Sequence, residues 1–247
     1  NNVRVLPDAA LGNLQFAVAK NSVINIRSEP KHSAELGTQG LLGMSLKVLD
    51  QKGDFYRIQT PDMYISWVDR GGIQLLNKAE IDTWNQAKKV LFTKNFGYVF
   101  ADKKDGATII SDVTLGGILE YISEDDTFYE VKYPDNRTGF IKKEEAVIYD
   151  SWLENVVSSK ENIEAVAKNF GGFPYLWGGT SSKGMDCSGF TKMVYLLNGL
   201  VIPRDASQQI NAGKTVDATL KFEGLEKGDL LFFGRKATAD KKQRVTH

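Results

Sequence analysis

The 247-residue sequence contains one cysteine, Cys187, and two histidines, His32 and His247. A nucleophilic thiol needs an imidazole within hydrogen-bond reach and a third group to orient that imidazole, so few residues can fill these roles. Cys187 lies in GGFPYLWGGTSSKGMDCSGFTKMVYLLNG, residues 171–199, which changes character at the cysteine. Before it stand glycines, serines and a proline, all poor helix formers. After it, Phe190, Met193, Val194 and Leu197 recur at spacings of three and four, the apolar stripe of a helix. The spacing therefore predicts Cys187 where a glycine-rich loop enters a buried helix. Free N–H groups and the positive end of the helix dipole favour a thiolate at such a place. The competing reading is a small buried hydrophobe, a common fate of a lone cysteine. His247 is the last residue given, in RVTH after a charged loop, and is expected at the start of a strand. His32, in a Pro-Lys-His-Ser context, reads as an exposed loop histidine.

The composition narrows the chemistry further. Lys plus Arg and Asp plus Glu are each 31, so no global field draws the chain to nucleic acid or an anionic membrane. A single cysteine excludes an internal disulfide framework. No apolar run approaches the roughly 20 residues that span a bilayer. The glycines at 171, 172, 178 and 179 lack the strand–turn–helix spacing of phosphate or dinucleotide loops. Neither a metal nor another cofactor is expected, and a monomer is. The first residue is Asn1, with no methionine and no signal-like apolar segment, which predicts a processed or engineered start compatible with export.

The elements ahead of the cysteine are written twice. Shifted by 73 positions, residues 41–73 lie on 114–146 without a gap: Leu42, Gly43 and Leu46 meet Leu115, Gly116 and Leu119. Phe55 and Tyr56 meet Phe128 and Tyr129, and Pro61-Asp62 meets Pro134-Asp135. Such a match predicts two copies of one fold. Each copy holds short runs of β-formers around Gly-Asp and Pro-Asp turns, as expected of a small closed barrel without sheet edges. The copies differ at Tyr64, which becomes Arg137, and in the polar NIRSEPKHSAELGTQGLLG segment, read as a long loop containing Glu35. Ile81, Trp84 and Ala87 mark a short connecting helix, and residues 151–170 a longer one opening a third unit. The expected domains are 1–76, 77–150 and 151–247.

In the third unit, YLWGGTSSKGMDCSGF, PRDASQQ, GDLLFF and VTH occur in an order and spacing that resemble the NlpC-type cell-wall cysteine peptidases. The two β modules resemble bacterial SH3-like domains, which matches a branch of γ-D-glutamyl-L-diamino-acid endopeptidases. The resemblance implies a multidomain fold: two small all-β SH3-like barrels, then an α+β papain-like domain with helices on an antiparallel sheet. It implies Cys187 as nucleophile, His247 as general base and Tyr175 as an oxyanion-hole donor. Asp186, Ser188 and Ser207 match positions that hold the substrate's terminal amine and adjoining backbone, and Trp177 would wall the cleft or pack structurally. Glu35 and Tyr64 of the first module are the matching candidates for the amine pocket; a solvated loop glutamate is the alternative for Glu35. Arg204 is expected to pair with Asp205. LEKGDLLFFG is expected to supply one buried strand.

The resemblance further implies peptidoglycan fragments as substrates and a cell-envelope, periplasmic or exported location, with a cytoplasmic one as the alternative. The third, orienting residue of the family is expected beyond His247, on a continuation of about one strand pair. The rival functions are a hydrolase or amidase of intact crosslinked wall, and a non-catalytic SH3-like wall-binding protein.

Overall fold

The computed structural model describes residues 3–247 except 105, 218, 220, 236, 239 and 243. The repeat seen in the sequence is repeated strand for strand. The first module contains β1 (Phe16–Ala19), β2 (Val23–Arg27), β3 (Leu36–Leu41), β4 (Ser45–Lys52), β5 (Phe55–Gln59), β6 (Ile65–Asp69) and β7 (Ile73–Leu76). The second contains β8 (Lys89–Phe92), β9 (Phe96–Phe100), β10 (Ile109–Thr114), β11 (Ile118–Glu124), β12 (Phe128–Lys132), β13 (Thr138–Lys142) and β14 (Ala146–Ile148). The hydrogen-bonded orders are β3-β2-β6-β5-β4-β1-β7 and β10-β9-β13-β12-β11-β8-β14, the same order twice. Even the bulge recurs, between Val48 and Asp50 in one copy and Tyr121 and Ser123 in the other. An extra residue at an equivalent ladder position marks an inherited bend of the strand.

Neither ladder closes on itself among the described residues: each order has two ends, in place of the closed barrel expected from sequence. The polar segment read as a long loop is partly a strand, because its second half becomes the edge strand β3. That edge is covered by the third unit, where Thr180 and the Gln39 backbone and side chain exchange hydrogen bonds of 3.0–3.2 Å. Covering an exposed edge removes a template for unwanted strand pairing.

The duplicated Leu-Gly turns are also the places where the units interlock. Leu42 is buried in the core of the second module with Val90, Phe92 and Leu119, while Leu41 and Leu115 enter the core of the third unit. The Ile118 amide donates to the Leu42 carbonyl at 2.9 Å. Gly43 has φ +83°, and a Cβ there would stand 2.1 Å from the Ile118 carbonyl oxygen. Only glycine supplies both the left-handed turn and that approach.

Between the modules, α1 (Lys78–Gln86) is set by an Asn77–Glu80 capping box and buries Ile81 and Trp84 on Val18. The expected single helix at 151–170 is two: α2 (Tyr149–Asn155) and α3 (Lys160–Asn169). Ser159 accepts from the Asn162 amide and Asn162 donates back to the Val157 carbonyl, a start signal that outcompetes continuation of the first helix. The third unit continues with the hairpin β15 (Thr180–Ser181) and β16 (Gly184–Met185), α4 (Cys187–Leu196) and α5 (Ala206–Gln209). It ends with the short pair β17 (Gly234–Arg235) and β18 (Arg244–Val245). The multidomain arrangement of two small all-β modules followed by an α+β unit is thus present.

One expected strand is absent as such. Asp229–Phe233 carries no ladder, and Leu231 and Phe233 are exposed. An apolar run becomes a strand only when a neighbour supplies hydrogen bonds, and among the described residues those reach only its last residue, Phe233, which bonds Thr246 and His247. His247 lies two residues past β18, with its backbone bonded to Phe233 at 2.8 and 3.3 Å.

Candidate active site

Cys187 occupies the first position of α4. Asp186 is the N-cap, its Oδ1 accepting from the Gly189 amide at 2.7 Å, which fixes the entry of the chain into the helix. The preceding loop is held by Tyr175, which forms an isolated bridge with Met185, and by Leu176, whose amide donates to the Met185 carbonyl. Gly178 has φ +79°, and a Cβ there would meet the Leu36 carbonyl oxygen at 2.2 Å, so the loop rests directly on the first module. The apolar stripe predicted for α4 is the buried one: Met193 and Val194 pack with Phe170 and Met185.

Cys187, Tyr175, Asp186, Ser188 and His247 line one cavity of about 490 Å³, closed around by Phe170, Phe173, Phe190, Thr191 and the 229–232 segment. The thiol is free and half-buried, and His247, which is exposed, lines the same cavity. The Tyr175 side chain is 64% exposed, and its hydroxyl stands in the field of Cys187. Desolvation, then the Cys187 and Asp186 charges, push the Tyr175 phenol above its usual range, so it remains a donor. A thiol, an imidazole and a phenolic donor around one cavity are the parts of an acyl-transfer site.

The floor of the site is a buried polar network. Asp186 Oδ2 accepts from the Gly178 amide at 2.9 Å and from the Arg204 guanidinium at 2.6 Å. Arg204, 2% exposed, also donates to the Ser188 hydroxyl at 2.8 Å and to Thr38 Oγ1 of the first module at 3.1 Å. The ion pair of Arg204 is thus with Asp186 and not with the expected Asp205, whose charge it meets only at longer range. Asp186 and Ser188, expected to hold the substrate's terminal amine and adjoining backbone, line the cavity and also bond each other, Arg204 and the helix N-terminus. Gln209 locks α5 on α4, donating to the Ser188 carbonyl at 3.0 Å and accepting from Thr191 at 2.8 Å.

A second group of side chains stands where the first module meets the α5 start. Trp177 is exposed, and its indole N–H donates to Glu35 Oε1 at 2.7 Å. Tyr64 is half-buried; burial, then Asp205, raises it, with Glu35 and Asp62 adding in the same direction and Arg204 opposing. Asp205 is half-buried and raised by that burial, with Asp186 and Asp62 adding and Arg204 and Lys192 opposing. No ion pair within 4 Å involves Asp205 among the described residues. Glu35, Tyr64, Trp177 and Asp205 thus converge, whereas Ser207 is exposed on α5 with no side-chain partner among the described residues. Asp205 is not legible as a site residue in the sequence, because its neighbour Arg204 offers a ready countercharge. The signal for it was the PRDASQQ string, which places it at a helix N-cap. His32 sits elsewhere, exposed, 3.6 Å from Asp69 and edge-on to Phe55.

Among the described residues no group of three or more His, Cys, Asp or Glu side chains could hold a metal ion, and no helix is long and apolar enough to cross a membrane.

A thiol at the head of a buried helix and an imidazole lining the same cavity are the parts of a papain-like site. Sequence comparison agrees: residues 172–246 match the NlpC/P60 family and residues 26–73 match the bacterial dipeptidyl-peptidase SH3 domain. The chain carries an NlpC/P60 domain behind an SH3 domain of that type. A γ-D-glutamyl-L-lysine dipeptidyl-peptidase of Bacillus cereus is 32% identical over 207 residues, covering 81% of this chain and 60% of that protein. Dipeptidyl-peptidase 6 of Lysinibacillus sphaericus is 29% identical over 230 residues, covering 88% of this chain and 81% of the relative. The chain thus spans about three-fifths of the first relative's length. The crystal structure of an NlpC/P60 family protein from Bacillus cereus superposes with a TM-score of 0.79 at 26% identity, over 94% of this chain and 86% of that one.

Proposed function

We propose that the chain is the catalytic and substrate-selecting part of a cysteine endopeptidase. It hydrolyses the γ-D-glutamyl–diamino-acid bond of peptidoglycan-derived peptides that carry a free N-terminal L-alanine. The observation that carries the reading is the shared cavity of Cys187, His247 and Tyr175, with a cluster of acidic and phenolic groups beside it. Its units are 1–76, 77–150 and 151–247, acting as a monomer on wall fragments in the cell envelope or outside the cell. Relatives named γ-D-glutamyl-L-lysine dipeptidyl-peptidase support the bond type.

In this mechanism the Cys187 sulfur attacks the γ-carbonyl carbon while His247 takes the thiol proton. The developing oxyanion is met by the Cys187 amide at the helix N-terminus and by the Tyr175 hydroxyl. His247 then gives the proton to the departing amine of the diamino acid, and water attacking the thioester releases the dipeptide and restores the thiol. Glu35, Asp205 and the Tyr64 hydroxyl receive the terminal ammonium. The raised Asp205 carboxyl has no ion pair within 4 Å among the described residues, and an ammonium supplies one in a partly desolvated place where such pairing is strong. Asp186 and Ser188 act beneath the site, holding Cys187 at the head of α4, and Trp177 positions Glu35.

The test is turnover of L-Ala-γ-D-Glu-diaminopimelate against its N-acetylated form by the full-length protein. Strong preference for the free amine is expected. Equal turnover overturns the amine pocket, and release of soluble material from intact sacculi with poor use of free tripeptide overturns the substrate class.

A further inference from the structure

The two modules share the turn between their fifth and sixth strands, yet they use its aspartate differently. In both, Pro-Asp is followed by a non-glycine residue in the left-handed region: Met63 at φ 67° and Asn136 at φ 69°. In the second module Asp135 pairs with its own neighbour Arg137 at 3.0 Å. In the first, the neighbour is Tyr64, and Asp62 reaches outside the module. Its Oδ2 lies 2.6 Å from the Lys192 ammonium on the catalytic helix α4, and both side chains are nearly inaccessible, at 3% and 8% exposure.

The turn is braced around that contact. Thr60 Oγ1 donates to Asp62 Oδ1 at 2.6 Å and accepts from the Tyr64 amide at 3.1 Å, and the Thr60 amide donates to the Tyr64 carbonyl at 3.0 Å. A chain of contacts thus runs from Lys192 through Asp62 and Thr60 to the Tyr64 backbone. A lysine on the buried face of a helix is costly unless it is paired, and burial indeed lowers its pKa while Asp62 opposes that shift.

We infer that Lys192 is a positioning residue for amine selection: its ammonium, projecting from the helix that carries Cys187, grips the Asp62 turn and sets Tyr64 beside Asp205 and Glu35. The inference rests on the peptide reading above for its substrate, and on the geometry alone for the grip. It explains why the duplicated module has kept the turn but lost the role, since Arg137 satisfies Asp135 within the second copy.

Two readouts on the full-length protein test it. Amide hydrogen exchange is followed over residues 60–65, with 133–138 as the internal control, in wild type, Lys192→Met, Lys192→Arg and Asp62→Asn. Exchange at 60–65 rises at least 10-fold in Lys192→Met and Asp62→Asn, less in Lys192→Arg, and stays unchanged at 133–138. Where Lys192→Met fails to fold, Asp62→Asn carries the same comparison with the side-chain shape retained. In kinetics, the preference for the free-amine tripeptide over its N-acetylated form falls about 10-fold, through a raised KM for the amine substrate with kcat for the acetylated one unchanged. Unchanged exchange at 60–65, or an unchanged preference ratio in a folded variant, overturns the inference. Faster exchange together with a wild type indifferent to acetylation upholds the grip and overturns the peptide reading instead.

Discussion

The Arg204 guanidinium lies 2.6 Å from the Asp186 carboxylate, directly beneath the N-terminus of the helix that begins with Cys187. Both side chains are buried, and the same guanidinium reaches Thr38 in the first SH3-like module. The position of the thiol is therefore tied to the docking of a separate module. Removing one partner of a buried pair leaves an uncompensated charge, which costs about 3–5 kcal/mol. Arg204→Met is expected to lose that much in urea denaturation at pH 7, with a large fall in kcat. Arg204→Lys, which keeps the charge but not three simultaneous hydrogen bonds, falls between it and wild type.

Cys187→Ala is expected to abolish peptide hydrolysis. Tyr175→Phe removes one oxyanion donor and should lower kcat by roughly 10²–10³-fold, the usual effect of losing such a group. Its KM should change less than twofold, because the hydroxyl acts on charge that develops only during attack. Steady-state kinetics on the free-amine tripeptide separates the two: an unchanged kcat in Tyr175→Phe assigns the phenol to packing.

Gly43→Ala tests the interlock of the modules. Gly53 has φ +58° and open space around it, so Gly53→Ala should cost only the left-handed strain of about 1–2 kcal/mol. At Gly43 the same strain is joined by contact with the Ile118 carbonyl oxygen at 2.1 Å. Thermal unfolding should place Gly43→Ala well below Gly53→Ala, and equal midpoints would show that the module interface yields freely.

Lys89 supplies a pH test. Its ammonium caps the end of α1, bonding the Trp84 carbonyl and, at 2.8 Å, the Ala87 carbonyl, and it lies 4.6 Å over the Trp84 ring. Burial brings its pKa down from 10.5 to about 8. A depressed folded-state value means that the linked stability is full above about 10.5 and is lost as pH falls through about 8. The stability of wild type relative to Lys89→Met should therefore climb between pH 8 and 10.5 and be flat below 7 in denaturant titrations. A flat difference across the whole range would show that Lys89 titrates as a solvated lysine.

Local sequence was sufficient for whatever rests on short-range chemistry. The ungapped match of 41–73 on 114–146 specified two copies of one strand order, because turn residues and alternation act within a few positions. The glycine-rich loop followed by a 3.6-residue apolar period set Cys187 at the head of a helix, and that is where it lies. Tertiary structure decided everything that depends on which surfaces meet. Leu42 leaves its own module for the core of the next, Asp186 takes Arg204 from Asp205, and Asp62 takes Lys192 from across a domain boundary. Buried charges accept whichever partner the packed core leaves within about 3 Å, and no spacing along the chain encodes that choice.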